Sequence, residues 1–83
     1  MVIKNSEHTP DSILLYSIGV SGQLDDDFTA AFCPPGTHLE SDGECTILAG
    51  IRADQSGILG LLRQLHNLGC AIRWMRTLPD KED

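Results

Sequence analysis

Cys33, His38 and Cys45 are the residues of this 83-residue chain whose types could together ligate a soft metal ion. Their spacing, Cys-x4-His and then six residues to Cys45, matches no common zinc pattern, and no Cys-x2-Cys bite is present. No metal site is expected. Nucleophilic catalysis by a Cys/His pair needs a thiol in an accessible, electropositive place. Cys45 and Cys70 fall in expected strands, where a thiol behaves as a small hydrophobe, which leaves Cys33 as the one thiol expected at the surface. His8 lies in an expected tail and His66 on a helix flank, where an ordinary surface role is the reading. Asp25-Asp26-Asp27 would hold a hard cation only if its carboxylates converged; consecutive helical residues point in different directions, so the run reads as a helix cap. G-x-G-x-x-G, G-x-x-x-x-G-K-S/T, G-x-S-x-G and H-E-x-x-H are all missing, so no catalytic residue and no cofactor is assigned and an enzyme is not expected.

Twelve acids against six bases give a formal charge of -6 and a pI near 4.7. Such a surface repels phosphate backbones and anionic headgroups, so neither nucleic acid nor membrane is an expected partner. A 41% hydrophobic fraction with 22% charged residues fits one small folded domain, and the length leaves no room for a second. The apolar runs Ile13–Tyr16 and Ile58–Leu62 fall far short of the roughly 18 residues a membrane span needs. The first residues lack the basic-then-apolar order of a secretory signal, and three widely spaced cysteines make no disulfide framework. A cytoplasmic protein with reduced thiols is expected.

These residues must be positioned by elements that the apolar period reveals. Residues 1–11 and 79–83 offer little apolar surface and are expected to be loose tails around a single domain at 12–78. Tyr16, Ile18 and Val20 alternate with small residues as in a strand over Ile13–Gly22. Phe28, Ala31 and Phe32 recur at helical spacing behind the aspartates until Pro34-Pro35-Gly36 stops them. Two extended segments, 37–41 and 44–52, flank Ser41-Asp42-Gly43 and predict a hairpin. Asp54 caps an expected helix whose Ile58, Leu61, Leu62, Leu65 and Leu68 form one stripe ending at Gly69, and Cys70–Thr77 is a last strand closed by Pro79. Gly60, a helix breaker inside that helix, is expected to mark close backbone packing.

The order β-α-β-β-α-β predicts an α+β, ferredoxin-like fold: an antiparallel four-stranded sheet with two helices on one face. Strict alternation would set Cys45, Ile47, Ala49 and Ile51 on one side of the third strand and Thr46, Leu48, Gly50 and Arg52 on the other, leaving apolar side chains on the open face. In the last strand it would send Ile72 and Trp74 to the helices and Arg73 and Met75 to the open face, unless a bulge exchanges them. Ile47, Leu48, Arg73 and Met75 are therefore the candidate contacts of a homo-oligomer joined through its sheet. Eight acids and no base lie between Asn5 and Ile51, whereas Arg52–Arg76 carries four arginines against Asp54 alone, a dipolar distribution able to bring protomers into register.

The run Gly50-x-x-x-Asp54-Gln55-x-x-Ile58-x-Gly60-Leu61-Leu62-x-x-Leu65-x-x-Leu68-Gly69, followed by a strand, resembles a group of small, functionally uncharacterised bacterial proteins. In that group a first strand with a Tyr and a terminal Gly-x-Leu corresponds to Tyr16 and Gly22-Gln23-Leu24, and a glycine-containing hairpin precedes the Asp-Gln helix. Tryptophans are common in the group's first helix, where Phe28 and Phe32 stand here. The likeness spans most of residues 14–76 and implies no activity. A weaker topological likeness to ACT-type regulatory domains implies a metabolite site between protomers, near Gly22, Asp25, Asp54 and Gln55. The expected function is a small non-enzymatic protein-interaction or regulatory module that self-associates and docks on another protein, with ACT-like metabolite sensing as the alternative.

Overall fold

The computed structural model describes residues 10–22 and 24–79, so most of both expected tails, and His8, lie outside the described residues. Six elements follow one another: β1 (Leu14–Ser21), α1 (Asp26–Phe32), β2 (His38–Asp42), β3 (Cys45–Ala53), α2 (Gln55–Asn67) and β4 (Ile72–Pro79). The strands form one antiparallel sheet in the order β2-β3-β1-β4, and the protein is α+β, a four-stranded antiparallel sheet with two helices.

Each boundary has a local cause. The Asp25 carboxylate accepts a hydrogen bond from the Phe28 amide at 3.2 Å, with Asp26 and Asp27 complementing the dipole of the first turn. Asp54 does the same for the Gly57 amide at 2.8 Å. Gly43 supplies the positive φ, 66°, at the first of the two residues that join β2 to β3. Tyr16, Ile18, Val20, Leu48 and Ile51 from the sheet meet Phe28 of α1 and Ile58, Leu61 and Leu65 of α2 in a single core. Ile18, Val20, Leu48, Ile51 and Leu65 are wholly buried.

Two bulges beside β1 decide which side chains enter that core. Tyr16 lies opposite Ile51 but Ile18 lies opposite Leu48, so Ser17 faces two residues of β3, Ala49 and Gly50. Gly50 takes the left-handed conformation the extra residue needs, φ 72°. Leu48 and Ile51 consequently share the helix side, and the strict alternation expected of β3 ends at Gly50. On the other flank Gly19 is opposite Trp74 and Val20 opposite Ile72, leaving Arg73 as the extra residue. Ile72 and Met75, paired with buried Val20 and Ile18, face the helix side, while Trp74 turns to the open face. The bulge thus reverses the expected placement of both Trp74 and Met75.

Gly60 contradicts its expected role. It is exposed, and a Cβ built on it would touch no atom within 4 Å. Close packing does not explain the glycine, and Gly60→Ala is expected to raise stability by up to about 1 kcal/mol through helix propensity. Urea unfolding of the variant measures it; a lower midpoint would show that the position is packed after all.

Candidate functional site

Tyr16, Ile18 and Val20 point to the helices, so Leu15, Ser17, Gly19 and Ser21 line the opposite face of β1. Across the sheet, Glu40, Ile47, Gly19 and Trp74 stand side by side in one row. Arg76 stands opposite Ser17, and Arg52 and Leu78 flank Leu15. A Cβ on Gly19 would fall inside the Trp74 indole, so the ring lies over this glycine and takes the space of its missing side chain. The Arg76 guanidinium sits 5.1 Å from the centre of the same ring, within cation-π range, and Arg73 Nη1 donates to Ser21 Oγ at 3.2 Å. Neither arginine meets a carboxylate among the described residues.

β4 is the outermost strand, and every side chain described in it is exposed. Ile72, Trp74, Met75 and Leu78 are exposed by 41, 37, 46 and 55%. The uncovered residues lie on both faces of the strand, Ile72 and Met75 on one and Trp74 and Leu78 on the other. The helices are responsible: α1 is only seven residues long, and α2 directs its buried stripe, Ile58, Leu61 and Leu65, at the core that β1 and β3 share.

Of the four candidate contacts, Leu48 is wholly buried and leaves the surface. Ile47 is half-buried on the open face, Arg73 sits at the bulge, and Met75 is exposed on the helix side of β4. The candidate ligand residues do not converge within one chain. Gly22 and Asp25 follow the end of β1, whereas Asp54 and Gln55 follow the strand end that pairs with its beginning, roughly 23 Å away along the strand. Both aspartates already cap helices. The Gly22 carbonyl accepts from Thr46 Oγ1 at 2.8 Å, and the Gln55 amide donates to the Pro10 carbonyl at 3.0 Å.

A cavity of about 490 Å³ opens beside α1 and the start of α2, lined by Phe32, Cys33, Ile51, Asp54, Gly57 and Leu61. Burial pushes the Cys33 thiol above its ordinary value of 9.0, which favours the protonated and unreactive form. Contrary to expectation, Cys33 is not singled out by exposure: all three cysteines are half-buried. What sequence reasoning missed is the stack of Arg76, Trp74 and Gly19. The i, i+2 spacing did place Trp74 and Arg76 on one face; the glycine across the strand pair was the remaining signal.

A family model described as "Domain of unknown function (DUF8691)" matches residues 15–76. The chain belongs to this family. No curated protein and no solved structure matches it. The matched span takes in both bulges, both helices and the Trp74–Arg76 pair. No helix among the described residues is long and apolar enough to cross a membrane.

Gly19→Ala is expected to lever the indole off the sheet, shifting Trp74 emission to the red, increasing its quenching by acrylamide and lowering stability by about 1–3 kcal/mol. Unchanged emission would place the ring elsewhere. For Cys33 the raised pKa means that the folded state resists ionisation, so the contribution of its neutral thiol to stability is present below pH 9 and is lost as pH rises through the folded-state pKa. Alkylation by iodoacetamide at pH 7.5 should be slower than for a free thiol and should accelerate above pH 9; mass mapping of the labelled peptide reads both.

Proposed function

We propose that this chain is a small non-enzymatic protein-interaction or regulatory module of ferredoxin-like architecture that self-associates through its sheet. The strand order β2-β3-β1-β4, with every neighbouring pair antiparallel, supports the ferredoxin-like description. One observation carries the interaction reading: β4, at the rim of the sheet, exposes large apolar side chains on both of its faces. Among the described residues no strand pairs with the outer side of β4, whose eight residues present a row of backbone groups there, a template for a further strand. A second copy satisfies both needs at once, adding hydrogen bonds along the rim and covering Trp74, Met75 and Leu78. The engagement of Asp25 and Asp54 as helix caps and the raised pKa of Cys33 favour a binding role over catalysis.

Sedimentation equilibrium tests the reading. The protein should form dimers or larger species at tens of micromolar, and the double variant Met75→Lys, Leu78→Lys should weaken association by roughly tenfold or more. A strictly monomeric wild-type protein across that range overturns self-association.

A further inference from the structure

We infer that copies of this chain join head to tail, the β4 edge of one against the β2 edge of the next, in one continuous antiparallel sheet; this rests on the self-association reading and specifies its geometry. The two rims of the sheet carry opposite charge. β4 holds Arg73 and Arg76 and no acid, whereas β2 holds Glu40 and Asp42, is followed two residues later by Glu44, and has no lysine or arginine. Arg76, opposite Ser17, and Glu40, opposite Ile47, both lie on the open face, the side they must share to meet. Glu40 Oε2 already contacts His38 Nε2 at 3.2 Å, yet the pair is exposed and a carboxylate has acceptor capacity beyond one contact.

Direction agrees with charge. Each strand runs antiparallel to its neighbour, so β2 and β4 point in opposite directions across the four-stranded sheet. A copy translated past the rim therefore brings its β2 antiparallel to β4 and keeps both helix layers on the same side. Length agrees too. Beyond the Arg73 bulge, the regular part of β4 runs six residues, Trp74–Pro79, enough to span the five residues of β2. Setting Glu40 opposite Arg76 aligns His38 with Leu78 and Ser41 with Met75. A shift of two residues would instead set His38, with its nearby carbonyl contact, against Arg76 and Glu40 against the indole. Two-fold pairing of β4 with β4 gathers Arg73 and Arg76 of both copies along one seam that holds no acid, and like charges across a strand pair are unfavourable. Each copy thus owns one basic and one acidic rim, a heterologous contact that closes into a ring or extends as a filament rather than stopping at two.

The test is a charge swap read by sedimentation velocity, with circular dichroism confirming that each variant folds. Glu40→Arg alone and Arg76→Glu alone should each lower association on the order of tenfold or more. An equimolar mixture of the two should recover it. In the mixed assembly the arginine introduced on β2 of one variant meets the glutamate introduced on β4 of the other, and this reversed contact alternates with the native pairing of Glu40 and Arg76. Added NaCl should weaken the wild-type assembly. If either reversal fails to fold, Glu40→Gln and Arg76→Gln replace it, each expected to weaken assembly by roughly threefold and to reduce its salt dependence. Association left unchanged by Glu40→Arg but strengthened by Arg76→Glu, which relieves the like charges of a β4 seam, points to two-fold β4 pairing and overturns the head-to-tail contact while leaving self-association standing. Wild-type assembly indifferent to all these variants, or a mixture that does not recover, also overturns it. A monomeric wild type overturns both readings.

Discussion

The register of β1 against its two neighbours governs the rest of this molecule. β1 is paired on both sides, so its backbone is satisfied by β3 and β4 and its side chains have only two directions available. Where the pairing slips by one residue, every side chain beyond the slip changes face. The slip against β3 is held by Gly50, whose backbone at φ 72° suits a glycine and strains a residue with a Cβ. Because of it, Leu48 and Ile51, three apart in sequence, stand together under the helices beside Ile18 and Tyr16. Without the extra residue one of the two would be turned to the open face, and the core, nine buried apolar residues among those described, would lose a wholly buried member. Truncating such a side chain costs about 2–5 kcal/mol, a large share of the total stability of a small domain.

The second slip has the opposite effect on exposure. At Arg73 it parts Trp74 from Ile72, sending the indole across Gly19 on the open face and leaving Ile72 and Met75 on the helix side. The helices do not extend over those two. Their buried residues, Phe28, Ile58, Leu61 and Leu65, are gathered over β1 and β3, and a seven-residue α1 brings too little surface to widen that cover. An outer strand wetted on both sides is the structural consequence, and it directs attention away from the cavity beside Cys33 and toward the rim. The cavity's own chemistry agrees: its carboxylate is a helix cap and its thiol is held protonated by burial.

Charge acts on top of this packing. The acids concentrate at the start of α1 and along β2, and the arginines of β4 lie at the far side of the sheet, so the excess of acids in the composition conceals a dipole across the strands. On β4 the arginines also limit what the rim accepts, since bulky cationic side chains discourage indiscriminate pairing of an exposed edge. Arg76, stacked on Trp74, is held near the surface of the sheet rather than extended into solvent, which reduces the entropy lost when it meets a carboxylate.

Much of the architecture was legible from residue order because the signals are local. The caps at Asp25 and Asp54, the stop at Pro34-Pro35, the glycine at the head of the hairpin loop and the end of α2 before Gly69 each depend on a few neighbouring residues, and each is found where the sequence places it. The stripe through Ile58, Leu61 and Leu65 needs only helical geometry, whereas Leu68, expected to end it, lies past the last residue of α2 and is exposed. The faces of β3 and β4 could not be read this way. A bulge is a mismatch between two strands distant in the chain, so neither strand's own alternation records it, and Trp74 and Met75 went to the wrong side for that reason, while alternation alone left open whether Ile47 or Leu48 would meet the helices. Gly60 looked like a packing glycine because a helix interior disfavours it, but only the path of the neighbouring elements could show that nothing approaches it. The sequence by itself determined which elements form and where they end, since capping, turn and period are short-range. Which residues face the helices, which face water and which rim is left uncovered were decided by the tertiary structure, because they depend on how strands far apart in the chain register against one another.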